Sequence, residues 1–515
     1  MAPSLCQPAA RGPLVEPARH ARARLSTTRS STPEAASTGR GRGALAAPLL
    51  AICALAALLR FPTLDVQSFW FDEALTAVEL RRPLADTIAL LGSQELTPPL
   101  YFVLAWAWSR PFGSGEIGLR SLSALLGTLT VPVAYAAGAQ LVSRRAGLAA
   151  AALVAVSPLL VYYSQEARPY ALVILLGGVS FVLFARALDA AAGRRPLVGW
   201  AIVSALALTT HYFAVFLVAP EALWLLARSP RGQRAGALLC AALVGATGLA
   251  LVPLALTQLA GGPPTWIGQI PLSTRLLEFP EKYSAGWQSA HNPAWPLPAL
   301  LLGAGLVLLA VRGDSGERRG AALALALAAA TLAPPLALTI GGLDLFTFRH
   351  LIVVAVPLIV GLGAGFGVRR AGRVGPIVLA TLCLVSVAVN AIVFATPRLQ
   401  RDDWRSASAA LGRPPVPRVL AVTSFTPEPL RAYGHTLADT VPSSAGVGEI
   451  VLIGNTVPGE AVPPPPVAGF RLVERRAVQK LTIVRYRSAL MRPVDEAALV
   501  QRLGLSPRSV VLERP

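Results

Sequence analysis

Charge is scarce in this 515-residue chain: 14% of residues are Asp, Glu, Lys or Arg, against about 25% in soluble globular proteins. With 54% of residues hydrophobic and a mean hydropathy of +0.57, an ordinary soluble enzyme is excluded and a polytopic membrane protein implied. Lysine is nearly missing. Only Lys282 and Lys480 occur, so the net charge of +19 is carried by arginine. Those arginines fall in short gaps between apolar runs rather than on one soluble face, which argues against nucleic acid as a partner and for orientation in a lipid bilayer. Cysteine is limited to Cys6, Cys53, Cys240 and Cys383, none in an expected extracytoplasmic loop, so no disulfide framework is expected. No P-loop, Gly-x-Gly-x-x-Gly unit, His-Glu-x-x-His or Cys-rich metal spacing appears in a suitable context. Soluble nucleotide chemistry is thereby disfavoured, and an activated group arriving through the membrane on a lipid fits better.

What is present is a series of apolar runs, each near the roughly 20 residues that span a bilayer. They lie at about 44–61, 116–140, 146–163, 168–188, 197–212, 213–228, 235–256, 294–311, 320–341, 349–367 and 374–396. Arg144-Arg145, Arg194-Arg195, Arg228 to Arg234, Arg312 with Arg318-Arg319, and Arg369 to Arg373 occupy every second gap. Basic residues favour the cytoplasmic side, so this alternation predicts about eleven spans with the N-terminus inside and the C-terminus outside. Arg81-Arg82, in an outer loop, are the main exception. Leu100 to Trp108 is too short to count: nine apolar residues at 1.5 Å rise cover about 13.5 Å of a core about 30 Å thick. It is expected to lie on or dip into the outer face, so the first outer loop, about 62–115, holds two juxtamembrane segments. The 197–228 run is split at Thr209-Thr210-His211-Tyr212.

The predicted fold is an all-α polytopic membrane protein with a small C-terminal α/β extracytoplasmic domain, in three parts. Residues 1–42 form an arginine-rich cytoplasmic tail expected to be disordered; residues 43–397 form the transmembrane domain, its first run read as an anchor and not a cleaved signal; residues 398–515 form the outer domain. In the last part Val419 to Thr423, Glu449 to Ile453, Phe470 to Val473 and Leu481 to Tyr486 have strand composition. Asp495 to Leu503 is expected to be a helix, and the Pro463-to-Pro466 run a loop.

Five sites carry chemistry-capable residues on the expected outer face. Ser68-Phe69-Trp70-Phe71-Asp72-Glu73 sets two adjacent carboxylates after an aromatic cluster. Adjacent carboxylates repel, and apolar surroundings disfavour charge, which together tune an acid toward general-base work. The alternative is a pair that favours a helix N-terminus. Tyr162-Tyr163-Ser164-Gln165-Glu166-Ala167-Arg168-Pro169-Tyr170 joins two spans and offers a sugar-phosphate surface, because arginine forks onto phosphate oxygens; the alternative is a local ion pair. Phe348-Arg349-His350 puts an arginine on the outer face, against the prevailing charge bias. His211-Tyr212 and the intramembrane Glu221 form the fourth group, His211 being read either as a metal ligand or as a hydrogen-bonded interfacial residue. Asp402-Asp403-Trp404-Arg405, directly after the last span, either closes over the site or caps a helix.

In order, Phe-Trp-Phe-Asp-Glu-Ala, Thr-Pro-Pro-Leu-Tyr-Phe (97–102), Gly-Glu-Ile-Gly-Leu-Arg (115–120) and Tyr-Ser-Gln-Glu-Ala-Arg-Pro-Tyr (163–170) resemble the protein-O-mannosyltransferase superfamily. More closely, the chain looks like bacterial members of the family 39 and aminoarabinose-transferase type, with the GT-C fold, over about residues 44–405. The resemblance implies a polyprenyl-phosphate-linked sugar as donor, an extracytoplasmic active site, and two juxtamembrane helices in the first outer loop. It implies Asp72 as catalytic base with Glu73 as its companion, and Arg349 with Arg168 as holders of the donor phosphate. Glu166 matches the second-loop polar motif, with Tyr163, Tyr170 and His211 beside it as expected substrate-binding residues. Thr97-Pro98-Pro99 stands where related enzymes have His-Pro-Pro or Glu-Lys-Pro, so no metal or phosphate role carries over to that position. The expected reaction is transfer of mannose or a related hexose or pentose to a glycan, lipid or protein hydroxyl at the inner membrane of a bacterium. A divalent metal is left open as cofactor. A secondary transporter or lipid flippase is the alternative, disfavoured because most candidate residues gather at one face; a non-catalytic assembly protein is a second, distinguished from an enzyme by whether Asp72, Glu166 and Arg349 line one outward cavity.

Overall fold

The computed structural model describes residues 37–189, 193–260, 267–286, 295–423, 426–456 and 462–515. The expected tail over 1–42 lies outside the described residues apart from 37–42, which begin the first helix; Cys6 and the Gly261-Gly262-Pro263-Pro264 turn lie outside as well. Ala47–Pro515 forms one compact unit.

Among the described residues, five helices are long and apolar enough to cross a bilayer: Glu116–Leu141, Tyr170–Ala187, Arg234–Ala260, Ser315–Ile340 and Val374–Ala395. Arg144–Val156 and Pro158–Ser164, bent by 58° at their junction, make a sixth if taken as one span. The other five expected runs form shorter helices: Ala46–Arg60, Arg195–Thr210, Val215–Arg228, Pro296–Arg312 and the helical stretch Ile352–Gly367. Length and composition thus give five or six spans where charge alternation gives eleven. Breaks shorten the rest: after Thr210 the chain leaves the helix at His211, whose Nδ1 accepts the Phe213 N–H (3.2 Å).

The bend at Ser157 has a specific anchor. Ending a helix at Val156 strands its last carbonyls inside the protein, where unpaired backbone groups are costly. Arg60, fully buried at the end of the first helix, supplies the donors: Nη1 bonds Ala155 O (2.7 Å), Nη2 bonds Val154 O (3.0 Å) and Nε bonds Ser164 Oγ (3.0 Å). Gly127 makes room, since a Cβ there would meet Ser164 Oγ at 2.0 Å and Arg60 Nε at 3.3 Å.

The first loop contains three helices, Phe71–Glu79, Leu84–Gln94 and Leu100–Phe112, rather than the two expected. The last of these, 13 residues long, covers about 20 Å and is too short to span, in keeping with its place in a loop. Phe69, Ala74, Ala77, Tyr101, Phe102, Ala105, Leu119 and Ala167 close into one apolar cluster, which fastens the loop to the bundle end.

Residues 418–513 contain a six-stranded mixed sheet of β1 (Arg418–Val422), β2 (Leu437–Ala438), β3 (Gly446–Asn455), β4 (Arg471–Val478), β5 (Leu481–Pro493) and β6 (Val510–Glu513). Its order is β2-β6-β1-β3-β5-β4; β1 and β3 run parallel and the other pairs antiparallel. Strands occur at all four expected segments, and the expected helix appears as Glu496–Leu503, capped by Asp495. β2 and β6 carry too few residues to signal in sequence. β1 is buried along its whole length, as expected for a strand covered on both faces. Trp404 lies beneath one face with Leu420, Val451 and Ile483.

Candidate functional site

The Phe71–Glu79 helix starts where aromatic residues give way to Asp72 and Glu73. Acids in a first turn suit the partial positive charge of a helix N-terminus. Consecutive helical residues point about 100° apart, and the two carboxylates accordingly meet opposite surroundings.

Glu73 is fully buried and saturated. Its Oε1 accepts Arg120 Nε (2.7 Å) and the Ala167 N–H (2.8 Å); its Oε2 accepts Arg120 Nη2 (2.5 Å) and Arg401 Nη1 (3.3 Å). Burial pushes this carboxyl up, but Arg120 and Arg401 outweigh it and hold it below the ordinary range. Arg120 also donates to the carbonyls of Leu64, Gln67 and Ser68, tying the loop start to the Glu116–Leu141 helix. A carboxylate so occupied has no lone pair for a reacting group. The expectation that Glu73 shares the catalytic work therefore gives way to a holding role.

Arg401 is the second strut. Beyond Glu73 it reaches Glu166 Oε2 (3.3 Å), Gln165 O (3.0 Å) and Tyr162 Oη (3.1 Å), and it lies 4.2 Å over the Tyr162 ring. Glu166 is 1% exposed, and its Oε1 has no hydrogen-bond partner. Burial, partly offset by Arg401 and reinforced by Glu73 and Asp72, pushes Glu166 up to about 7.

Arg168 forms a fork–fork pair with Glu95, Nη1–Oε1 at 2.5 Å and Nη2–Oε2 at 2.8 Å, and also bonds Thr76 Oγ1. Its terminal nitrogens are committed, while its Nε is buried with no hydrogen-bond partner among the described residues. Arg168 therefore locks the second loop to the first, and drawing its fork off Glu95 would open a buried ion pair at a cost of about 3–5 kcal/mol. Beside it, Glu79 is buried with neither carboxylate oxygen hydrogen-bonded, and burial together with Glu95 pushes it up to about 8.

Asp72 and Arg349 differ from all of these. Their side chains are 22% and 16% exposed and face one another, Oδ2 to Nη1 at 3.9 Å. The Arg349 turn is braced from the Leu272–Ala285 helix: Arg275 donates to Phe346 O (3.2 Å) and Asp344 (2.7 Å), and Tyr283 donates to Leu351 O (3.2 Å). The Tyr163 and Tyr170 rings lie 4.7 Å apart, tilted by 58°, and Tyr170 lies 5.9 Å from His211. The Tyr163 hydroxyl is buried without a hydrogen-bond partner. Burial, with Arg168 and Arg349 nearby, lowers His211 to about 3, so it is neutral at pH 7. The sequence-predicted residues Asp72, Glu73, Tyr163, Glu166, Arg168, Tyr170, His211 and Arg349 are thus linked into one neighbourhood. Arg120, Arg401 and Glu95, which complete it, were not singled out. The signal for Arg120 and Glu95 was a charge beside an apolar run, which demands a partner.

No group of three or more His, Cys, Asp or Glu side chains among the described residues is arranged to hold a metal. The Nδ1 of His211 is already engaged by a backbone N–H. These residues do not make a ligand set, and no step below runs through a metal.

Residues 97–256 match the family described as dolichyl-phosphate-mannose-protein mannosyltransferase. Comparison of the sequence with curated proteins finds no match. Among solved structures, the chain is similar to ArnT from Cupriavidus metallidurans bound to undecaprenyl phosphate, with 13% identity and a TM-score of 0.50 over 89% of this chain and 100% of the other. The apo state of the same protein matches with 14% identity and a TM-score of 0.50, over 87% and 98%. At that identity the likeness is one of fold. The chain thus shares the fold of ArnT, and its residues 97–256 match the mannosyltransferase family model.

Proposed function

We propose that the protein transfers a sugar, mannose or a related hexose or pentose, from a polyprenyl-phosphate donor to an acceptor hydroxyl by a single inverting displacement. The reaction takes place at the extracytoplasmic face of a bacterial inner membrane, within an eleven-span topology. The observation that carries this reading is the Asp72–Arg349 pair. It is a carboxylate and a guanidinium 3.9 Å apart and partly open, in a neighbourhood where Glu73, Glu95, Arg120 and Arg168 are buried and bound to one another.

In this reading the acceptor and the lipid phosphate enter between the two. Asp72 takes the proton of the acceptor hydroxyl as its oxygen forms the bond to the anomeric carbon. The bond from that carbon to the phosphate oxygen breaks, its electron pair staying with the lipid phosphate, which Arg349 neutralises. Because the leaving group departs as a stable anion, no general acid is needed, in contrast to the two carboxylates of glycoside hydrolysis. The free Oε1 of Glu166 and the Tyr163 hydroxyl bind sugar hydroxyls, and neutral His211 with Tyr170 lines the sugar's path.

The test is transfer by purified protein in lipid vesicles, given polyprenyl-phosphate sugars and candidate acceptors. A product of inverted anomeric configuration is expected. A retained configuration rules out the single displacement, and movement of lipid across the vesicle without a new glycosidic bond rules out the transferase.

A further inference from the structure

The helix that carries Asp72 is fastened at both ends to residues 402–433, next to the C-terminal sheet. At its entrance, the Phe69 N–H donates to Tyr433 Oη (2.6 Å) and lies 3.2 Å from Glu116 Oε1, and the Tyr433 hydroxyl in turn donates to the same Glu116 oxygen. The Phe69 and Tyr433 rings lie 6.2 Å apart. Ser68 Oγ donates to Asp402 O (2.7 Å) and accepts the Trp404 N–H (3.0 Å), and Arg405 reaches both Asp65 O (2.7 Å) and Glu116 (3.2 Å). At the exit, Arg81 donates to Arg431 O (3.3 Å) and Ala432 O (2.8 Å). One short segment, 431–433, therefore meets both ends of the helix, and Gly434, at φ +94°, turns the chain away directly after it.

We infer that Tyr433 is a positioning residue for Asp72, through which the C-terminal sheet domain sets the catalytic helix against Arg349. This rests on the reading of Asp72 given above. The hydroxyl carries the effect and the ring does not: a phenylalanine fills the same place but leaves the buried Phe69 N–H and Glu116 without their shared partner. Small displacements of a catalytic group carry large penalties in rate, and the Phe69 bond lies only three residues ahead of Asp72.

The experiment uses the full chain in lipid and the variant Tyr433→Phe. The expected kcat falls about tenfold with the KM for the lipid-linked donor held within about twofold, since Arg349 is untouched. Backbone hydrogen exchange across residues 65–80 accelerates about fivefold, the consequence of losing one buried hydrogen bond. Glu116→Gln lowers kcat as well, and the double variant is no slower than the slower single one, because the two act through one contact. Unchanged exchange overturns the inference, as do faster exchange with intact kcat and full additivity of the two substitutions. If the wild-type protein transfers no sugar, the proposed function falls instead, and the exchange measurement alone decides whether Tyr433 orders the helix.

Discussion

Asp72 and Glu73 are neighbours in the chain with opposite physical lives. Glu73 has five donors and no exposed surface; Asp72 faces one arginine across 3.9 Å and keeps 22% of its side chain open. The same split separates Arg168, forked onto Glu95, from Arg349, which is braced from behind and partly exposed. Charges paired inside the protein hold the loops together; in the proposed reading the partly exposed Asp72 and Arg349 are the charges that meet the reacting groups.

The sharpest way to break that distinction is Asp72→Asn. Transfer is expected to fall by about 10²–10⁴-fold in a protein that still folds and inserts; near-normal turnover removes Asp72 as the base. Glu73→Ala should instead fail at folding. It leaves Arg120 and Arg401 as buried charges without their shared partner, at a cost of about 3–5 kcal/mol. Little membrane-inserted protein is expected, and normal yield with lost activity would move Glu73 back among the working groups. Smaller and pH-dependent is Glu79→Gln. The folded protein holds the Glu79 proton up to about pH 8, well above the usual carboxylate value. The stability associated with that proton is therefore complete below about pH 4.5 and lost as pH rises through 8. The thermal midpoint of wild type should thus drop between about pH 5 and 8 more steeply than that of Glu79→Gln; parallel curves would show that Glu79 ionises without consequence.

Much of this arrangement was legible in sequence, because its strongest signals are one-dimensional. Apolar runs mark the helices. Leu100–Trp108 is visibly too short to span, and the strands of the C-terminal sheet carry β-branched composition. The motifs around Asp72, Glu166 and Arg349 also name the neighbourhood. What stayed hidden was the pairing. Which acid Arg168 would meet depends on Glu95, 73 residues away, and which loop Arg401 would brace depends on Glu73 and Glu166, more than 230 residues away. Spacing gives no handle on such contacts, so the division between holding and working charges had to await three dimensions. The short strands β2 and β6 were missed for a related reason: their identity comes from neighbours in the sheet, not from their own composition.

The brace at the bend after Val156 also bears on how the protein is made. Arg60 emerges with the first hydrophobic helix, yet the carbonyls that receive its guanidinium lie 94 and 95 positions further along. At about 5–20 residues per second, they follow it out of the ribosome by about 5–20 s. Throughout that interval the first helix offers the guanidinium only its own Ala56 carbonyl, which is reason for it to wait at the lipid–water boundary with the guanidinium hydrated. Its final seat is available only once the bent helix arrives, so this helix settles late although it is made before its partner.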